Sequence, residues 1–293
     1  MFSSANAIQV TLGGLATGSL YAVILFGIIL VFQVSRSINF AYGSTGMLGT
    51  FASYALYSEF GLPVWFAVLI GIGVTILTAA LTDLLIIRRL PPQQGFDVVV
   101  TLGELLFLTA LAQLVFGASA QSYLKLLTDV PVLSRNIFVN GNDVLAVVLG
   151  VAVAIGGYFV LNSTSLGVSL RAAAADPSVA QSVGINVRGL RTAAWAVSGV
   201  FVAVGAMMFA ARLSVNAFYM TPIVINVFIA GMIGGLDRYW PPMLSAFGIA
   251  LYQSWAMYLF GEAGGVPALF ILVIVILAAV PKRLLDERHE ARA

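Results

Sequence analysis

The sequence predicts an all-α integral membrane protein, a polytopic bundle of about eight or nine transmembrane helices with one short helix in a cytoplasmic loop. Three observations carry this. Of the 293 residues 60% are hydrophobic and only 9% are charged, against about 25% charged in soluble domains; the mean hydropathy is +1.02. Apolar runs long enough to cross a bilayer, about 20 residues each, recur along the whole chain. Arginines and lysines gather in alternate connections, as the positive-inside rule requires.

Taken in order, the candidate spans are Val10 to Phe32, Ile38 to Tyr57, Pro63 to Ile87, Phe96 to Gly117, Val144 to Leu161, Thr192 to Ala211, Pro222 to Leu236, Pro242 to Phe260 and Val266 to Val280. Met1 to Val10 has no Lys or Arg ahead of the first apolar run, so it lacks the basic region of a cleavable signal peptide, and the first span reads as retained. Ile38 to Gly49 carries Asn39, Ser44, Thr45 and three glycines, and it reads either as a span or as a re-entrant element sheltered by protein. With the carboxy terminus in the cytoplasm, alternation places Arg36, Arg88, Arg89, Arg171, Arg188, Arg191, Arg238, Lys282, Arg283, Arg288 and Arg292 inside. It leaves Lys125, Arg135 and Arg212 outside. Arg88-Arg-Leu-Pro-Pro92 reads as a stiff inner turn. The stretch from Ala118 to Asp143 is the longest outer segment. Gly14-x-x-x-Gly18 and Gly231-x-x-x-Gly235 have the spacing of close helix packing. One transmembrane domain over residues 1–293 accounts for the chain.

Composition also bounds the chemistry. There is no cysteine, and the single histidine, His289, lies in the polar tail, which argues against metal centres and histidine-based catalytic sets. No paired carboxylates with a partnering base and no basic patch interleaved with aromatics are present, so no catalytic residue and no nucleic-acid partner is expected. A phosphate-cradling loop needs Gly-Lys-Ser or Gly-Lys-Thr. The two lysines, Lys125 and Lys282, do not follow glycines.

One polar interlude, about residues 162–191, carries helix signals of its own. Asp176 followed by Pro177 is a helix start, because the carboxylate caps free amides and proline suits the first helical position. Gly184 is a natural stop. The spacing predicts a short helix of about two turns, flanked by Arg171, Arg188 and Arg191.

The pattern made by Arg171, Ala172, Ala174, Asp176, Ala180, Gly184, Ile185 and Asn186 resembles the coupling loop of permease subunits from branched-chain amino-acid ABC importers. Leu12 to Ala22, Ile38-Asn39-Phe40-Ala41-Tyr42-Gly43, Thr101-Leu-Gly103, Gly231 to Leu236 and Val280 to Leu285 resemble further landmarks of that family, in order along the chain. Two positions depart from its pattern: Tyr42 stands where a histidine is usual and Ser44 where an acidic residue is, and both bear on the substrate class. The resemblance implies that Arg171, Ala172, Ala174, Asp176, Ala180 and Gly184 meet a separate ABC ATPase, which holds ATP and magnesium, so this chain needs no cofactor of its own. It implies a second permease subunit or a copy of this chain, a periplasmic or surface binding protein, and a bacterial or archaeal cytoplasmic membrane. The cargo would be a small amino acid, an amide or an organic acid.

For the path itself the candidates are Glu104, Asn39 and Tyr42. A carboxylate within a span costs about 2.5 kcal/mol or more and usually faces protein or water, so Glu104 reads either as a meeting point for a cationic group or as a carboxyl that ties helices together. Asn39 and Tyr42 lie in the glycine-rich element suited to a gate. Asp83 reads as locally paired with Arg88 or Arg89. From another class, a self-sufficient secondary transporter or channel would use Glu104 as its proton or cation site.

Overall fold

The computed structural model describes residues 4–89, 95–124 and 140–279. Lys125, Arg135, Pro91, Pro92, Lys282, Arg283, His289 and the Val280 to Leu285 landmark lie outside the described residues.

Among the described residues ten α-helices follow one another: α1 (Ser4–Ser35), α2 (Tyr42–Ser58), α3 (Val64–Leu81), α4 (Phe96–Phe116), α5 (Gly141–Ser163), α6 (Ser165–Ala175), α7 (Pro177–Ser182), α8 (Val187–Ala210), α9 (Met220–Gly234) and α10 (Trp240–Ala279). Among the described residues no strand is built. The one extended pairing is an isolated bridge between Gln121 and Val215.

Burial separates a centre from a rim. The apolar windows of α1 and α8 are 83% and 67% buried, whereas those of α3, α4, α5 and the first limb of α10 are 22–28% buried. A helix that is apolar all round must bury itself in protein or in lipid. The central pair does the first and the rim helices do the second. Trp65, Leu69, Leu106, Leu114 and Phe159 accordingly stand exposed on the rim.

Small residues set the closest approaches. Gly18 of α1 lies so near α10 that a Cβ there would meet the Phe247 Cα at 2.9 Å, so the Gly14-x-x-x-Gly18 stripe is a packing seam within the chain. α2 lies against α3 through Gly49 and Gly71, whose backbones face one another directly.

Among the described residues six helices are long and apolar enough to cross a membrane by length and composition, where eight or nine are expected. α2, with 17 residues, and α9, with 15, are the shorter ones. The physical reason is shelter: both are packed inside the bundle, where bilayer thickness does not fix their length. The expected eighth and ninth spans form one element, α10, broken at Gly261, where φ is 71° and ψ 179°. Past that turn the chain folds back, since the Tyr252 hydroxyl donates to the Ala268 carbonyl at 2.8 Å and Gly265 abuts Met257.

Polar contacts collect at two poles. At one, Arg212 pairs with Asp143 at 3.2 Å, and Tyr123 hydrogen-bonds Ser53 at 2.6 Å. At the other, Arg36 pairs with Asp237, and Asp83 meets Arg88 and Arg191. α6 and α7 belong to this second pole, between the end of α5 and the start of α8.

Candidate functional site

The segment joining α5 to α8 is a compact helical hairpin built from local signals. Thr164 caps α6 by accepting the Gly167 amide at 3.3 Å. The chain turns so sharply there that a Cβ on residue 167 would fall 2.0 Å from the Leu161 carbonyl oxygen, so only glycine fits. The Arg171 guanidinium donates to that same carbonyl, satisfying one of the open acceptors at the end of α5. Asp176 caps α7: its Oδ1 accepts the Ser178 and Val179 amides at 2.8 and 3.1 Å and the Ser178 hydroxyl at 2.6 Å. Pro177 occupies the first turn, as the sequence predicts. Gly184, at φ +88°, ends it, with Ile185 N–H returning to Ala180 O and Gly184 N–H to Gln181 O, the paired bonds of a Schellman motif. Asn186 then caps α8 through the Gly189 amide at 2.9 Å.

α6 carries no helix signal of its own in the sequence, where residues 165–175 read as part of the polar interlude. Its presence creates a small apolar core of Ala173, Ala180 and Val187, flanked by Ala172, Ile185 and Leu190. Of the expected contact residues, Arg171, Asp176 and Gly184 are exposed, Ala172 and Ala174 are half-buried, and Ala180 is only 2% exposed. Ala180 therefore holds the hairpin together from within. The outward apolar groups are Val179 and Val183, 58% and 71% exposed. Their four-residue spacing, one helical turn, was the available signal.

The Ser178 hydroxyl and the two amides hold the Asp176 carboxyl below the usual carboxylate range. A depressed folded value stabilises the hairpin at pH above the unfolded value, and that contribution is lost as pH falls through the folded one. The Ser178 and Val179 amides are accordingly expected to stay protected against hydrogen exchange through the ordinary carboxylate range and to lose protection only below it. Asp176→Ala is expected to speed their exchange several-fold at neutral pH, whereas Asp176→Asn retains the cap.

A cavity of about 530 Å³ lies between α2, α4 and α9. It runs from Ile38, Phe40 and Met232 at the hairpin pole to Ala217 and Thr221 toward the other. Its wall is almost wholly aliphatic and aromatic, with Ser44, Thr109 and Thr221 as isolated hydroxyls. A second apolar cavity, about 430 Å³, sits beneath α6 between α1, α5 and α8.

None of the three candidate path residues lines the α2–α4–α9 cavity. Asn39, 4% exposed, uses its Oδ1 to accept the Ala41 amide at 2.8 Å and so turns the chain into α2. Tyr42 is 2% exposed and donates its hydroxyl to the Ser198 carbonyl of α8 at 2.8 Å. Glu104 accepts from the Thr82 hydroxyl, while its second oxygen is buried without a hydrogen-bond partner among the described residues. The cavity residues Met47, Met220 and Phe228 were missed because apolar residues on a span carry no chemical mark.

The family comparison decides between transporter classes. Residues 10–280 match the model of the branched-chain amino acid transport system permease component. The chain belongs to this family. A probable branched-chain amino acid transport permease protein LivH of Methanocaldococcus jannaschii is 24% identical over 287 residues, covering 91% of this chain and 89% of the relative. The high-affinity branched-chain amino acid transport system permease protein BraD of Pseudomonas aeruginosa is 24% identical, with 95% of each chain covered. A nucleoside ABC transporter permease protein, NupC of Lactococcus lactis, is 32% identical over 167 residues, 52% of this chain and 50% of the relative. No solved structure matches the chain significantly. The protein is thus a multi-pass membrane permease component.

Proposed function

We propose that this permease, itself one transmembrane domain, is a subunit of an ATP-driven importer and forms half of the path for an amino acid with an aliphatic side chain. The observation that carries the substrate class is the wall of the α2–α4–α9 cavity, where Met47, Val224, Ile225 and Phe228 outnumber the hydroxyls. Such a wall suits an aliphatic side chain better than a sugar ring, whose hydroxyls would lose water without finding partners. This favours the chemistry named for the LivH and BraD relatives over that named for NupC.

In this reading the hairpin pole is cytoplasmic and the chain crosses nine times, counting α2, α9 and both limbs of α10. The amino terminus lies outside and the carboxy terminus inside. A separate ATPase pair holds ATP and magnesium and grips the 164–186 hairpin, and a binding protein delivers the cargo at the opposite pole. A second permease subunit closes the open side of the cavity. The hairpin supports the ATPase contact: a capped, self-cored element exposing Val179 and Val183 offers a rigid apolar knob to a soluble partner.

Ile225, 45% exposed on the cavity wall, provides the test. Ile225→Trp fills the cavity and is expected to lower leucine uptake by the assembled transporter about tenfold or more, with the partners still bound. Unchanged uptake would show that the cargo passes elsewhere.

A further inference from the structure

We propose that Asp83 is a positioning residue that carries movement of the 164–186 hairpin into α3 and α4; the inference rests on the importer reading above. At its hairpin end α3 does not finish as an ordinary helix. Thr82–Ile86 form a π-helical turn and Ile87–Arg89 a 3₁₀ turn. The Ile87 amide is shared between the carbonyls of Thr82 and Asp83, the first a π and the second an α hydrogen bond. The turn therefore stands between two registers. Turns of this kind are rare and concentrate at functional sites, and an element with two arrangements is what coupling between distant sites requires.

What holds the turn is a buried carboxylate. Asp83 has no exposed side-chain surface. Its Oδ1 lies 2.7 Å from Arg191 Nε, and its Oδ2 lies 3.3 Å from Arg88 Nε and accepts the Thr192 hydroxyl at 2.5 Å. The Arg191 Nε–Oδ1 contact is close without being aligned as a hydrogen bond. Arg88 also donates to the Arg188 carbonyl at 2.8 Å and to the Thr192 hydroxyl. Arg188, Arg191 and Thr192 form the first turns of α8, just beyond Asn186, the cap that ends the hairpin. On the other side of the turn, Thr82 donates to Glu104 of α4. Fully buried Trp195 packs against Ile87 and against Val31 of α1, so the turn also bears on the central helix.

The chain of contact is thus continuous: hairpin, Arg191 and Thr192, Asp83, π turn, Thr82, Glu104. A pull on the start of α8 draws on Asp83 and biases the shared Ile87 amide toward one register, which turns the end of α3 and moves α4, a wall of the cargo cavity. Glu104 then serves as the far end of this joint. A plain packing role predicts a different outcome, because packing defects lower stability and assembly together without changing how much cargo each ATP moves.

The test uses the whole transporter, this chain with its ATPase and binding protein, in proteoliposomes, and reads leucine moved per ATP hydrolysed. Asp83→Asn and Arg191→Gln each break the Asp83–Arg191 ion pair to α8, and each is expected to lower that ratio about tenfold, within the range of allosteric coupling energies. The double variant, which pairs two neutral amides, is expected to recover part of the ratio. Thr192→Val keeps the ion pair, loses only the hydroxyl and is expected to lower the ratio about fivefold, so the inference does not depend on tolerance of change at Asp83. Variants that lose thermal stability or yield but keep the wild-type ratio would overturn the inference. A wild-type chain that moves leucine without ATP would instead remove the importer reading beneath it, a result visible before any variant is made.

Discussion

Replacing Gly71 by alanine is expected to destabilise the folded protein by about 3 kcal/mol or more, at the upper end of overpacking costs. The same change at Gly73, two residues on in α3, is expected to stabilise it slightly. A Cβ at position 71 would sit 2.5 Å from the Gly49 carbonyl oxygen, 2.7 Å from Met207 Cε and 2.8 Å from Ser53 Cβ. The methionine can swing away, but the Gly49 carbonyl belongs to the backbone of α2, so two helices must separate. That separation would also disturb the packing of α2 on α8, where Gly46 lies against Val202. At Gly73 a Cβ meets nothing within 4 Å, and alanine in a helix interior is favoured over glycine by about 0.5–1 kcal/mol. Thermal melting of the two detergent-solubilised variants checks the contrast. Equal effects at both positions would contradict the described α2–α3 contact.

Val179→Glu combined with Val183→Glu is expected to reduce recovery of the ATPase with the tagged chain about tenfold or more, the effect of losing roughly 1.4 kcal/mol of association free energy. Both side chains project from the hairpin, and a carboxylate at either would have to be desolvated on burial in the proposed contact. Leu213→Glu introduces the same charge on a half-exposed leucine in the loop that joins α8 to α9, at the opposite pole, and is expected to leave recovery unchanged. Ala180→Glu is expected to act differently. It forces a carboxylate into the cluster of Ala173 and Val187, so it lowers the folded yield of the hairpin along with partner binding. Reading the ATPase contact off Ala180 would confuse these two effects, whereas the valine pair separates them. Recovery of the ATPase undiminished with the double valine variant would place the contact elsewhere.

How far the sequence disclosed this arrangement depends on the range of the forces involved. Asp176, Pro177 and Gly184 announced α7 because capping and left-handed glycine are decided within a few residues. The burial of Ala180 was hidden because it depends on α6 packing across to the start of α8. Asp83 was legible as a partner for Arg88, one turn away. Its contact with Arg191 was not, since nothing local marks a pairing between α3 and α8. Asn39 and Tyr42 read as path residues because the glycine-rich element around them suits a gate; the structure adds that both place their polar groups on backbone partners. The α2–α4–α9 cavity escaped notice for the opposite reason, its wall being as apolar as the exposed rim.

The measurement closest to the central claim is uptake of labelled leucine into proteoliposomes containing the chain with its partner subunits and binding protein, with ion gradients collapsed by ionophores. The account predicts uptake when ATP is supplied on the hairpin side, and none when ATP is withheld or replaced by an analogue that is not hydrolysed. Uptake by this chain alone, driven by a proton or sodium gradient and abolished by Glu104→Gln, would contradict it.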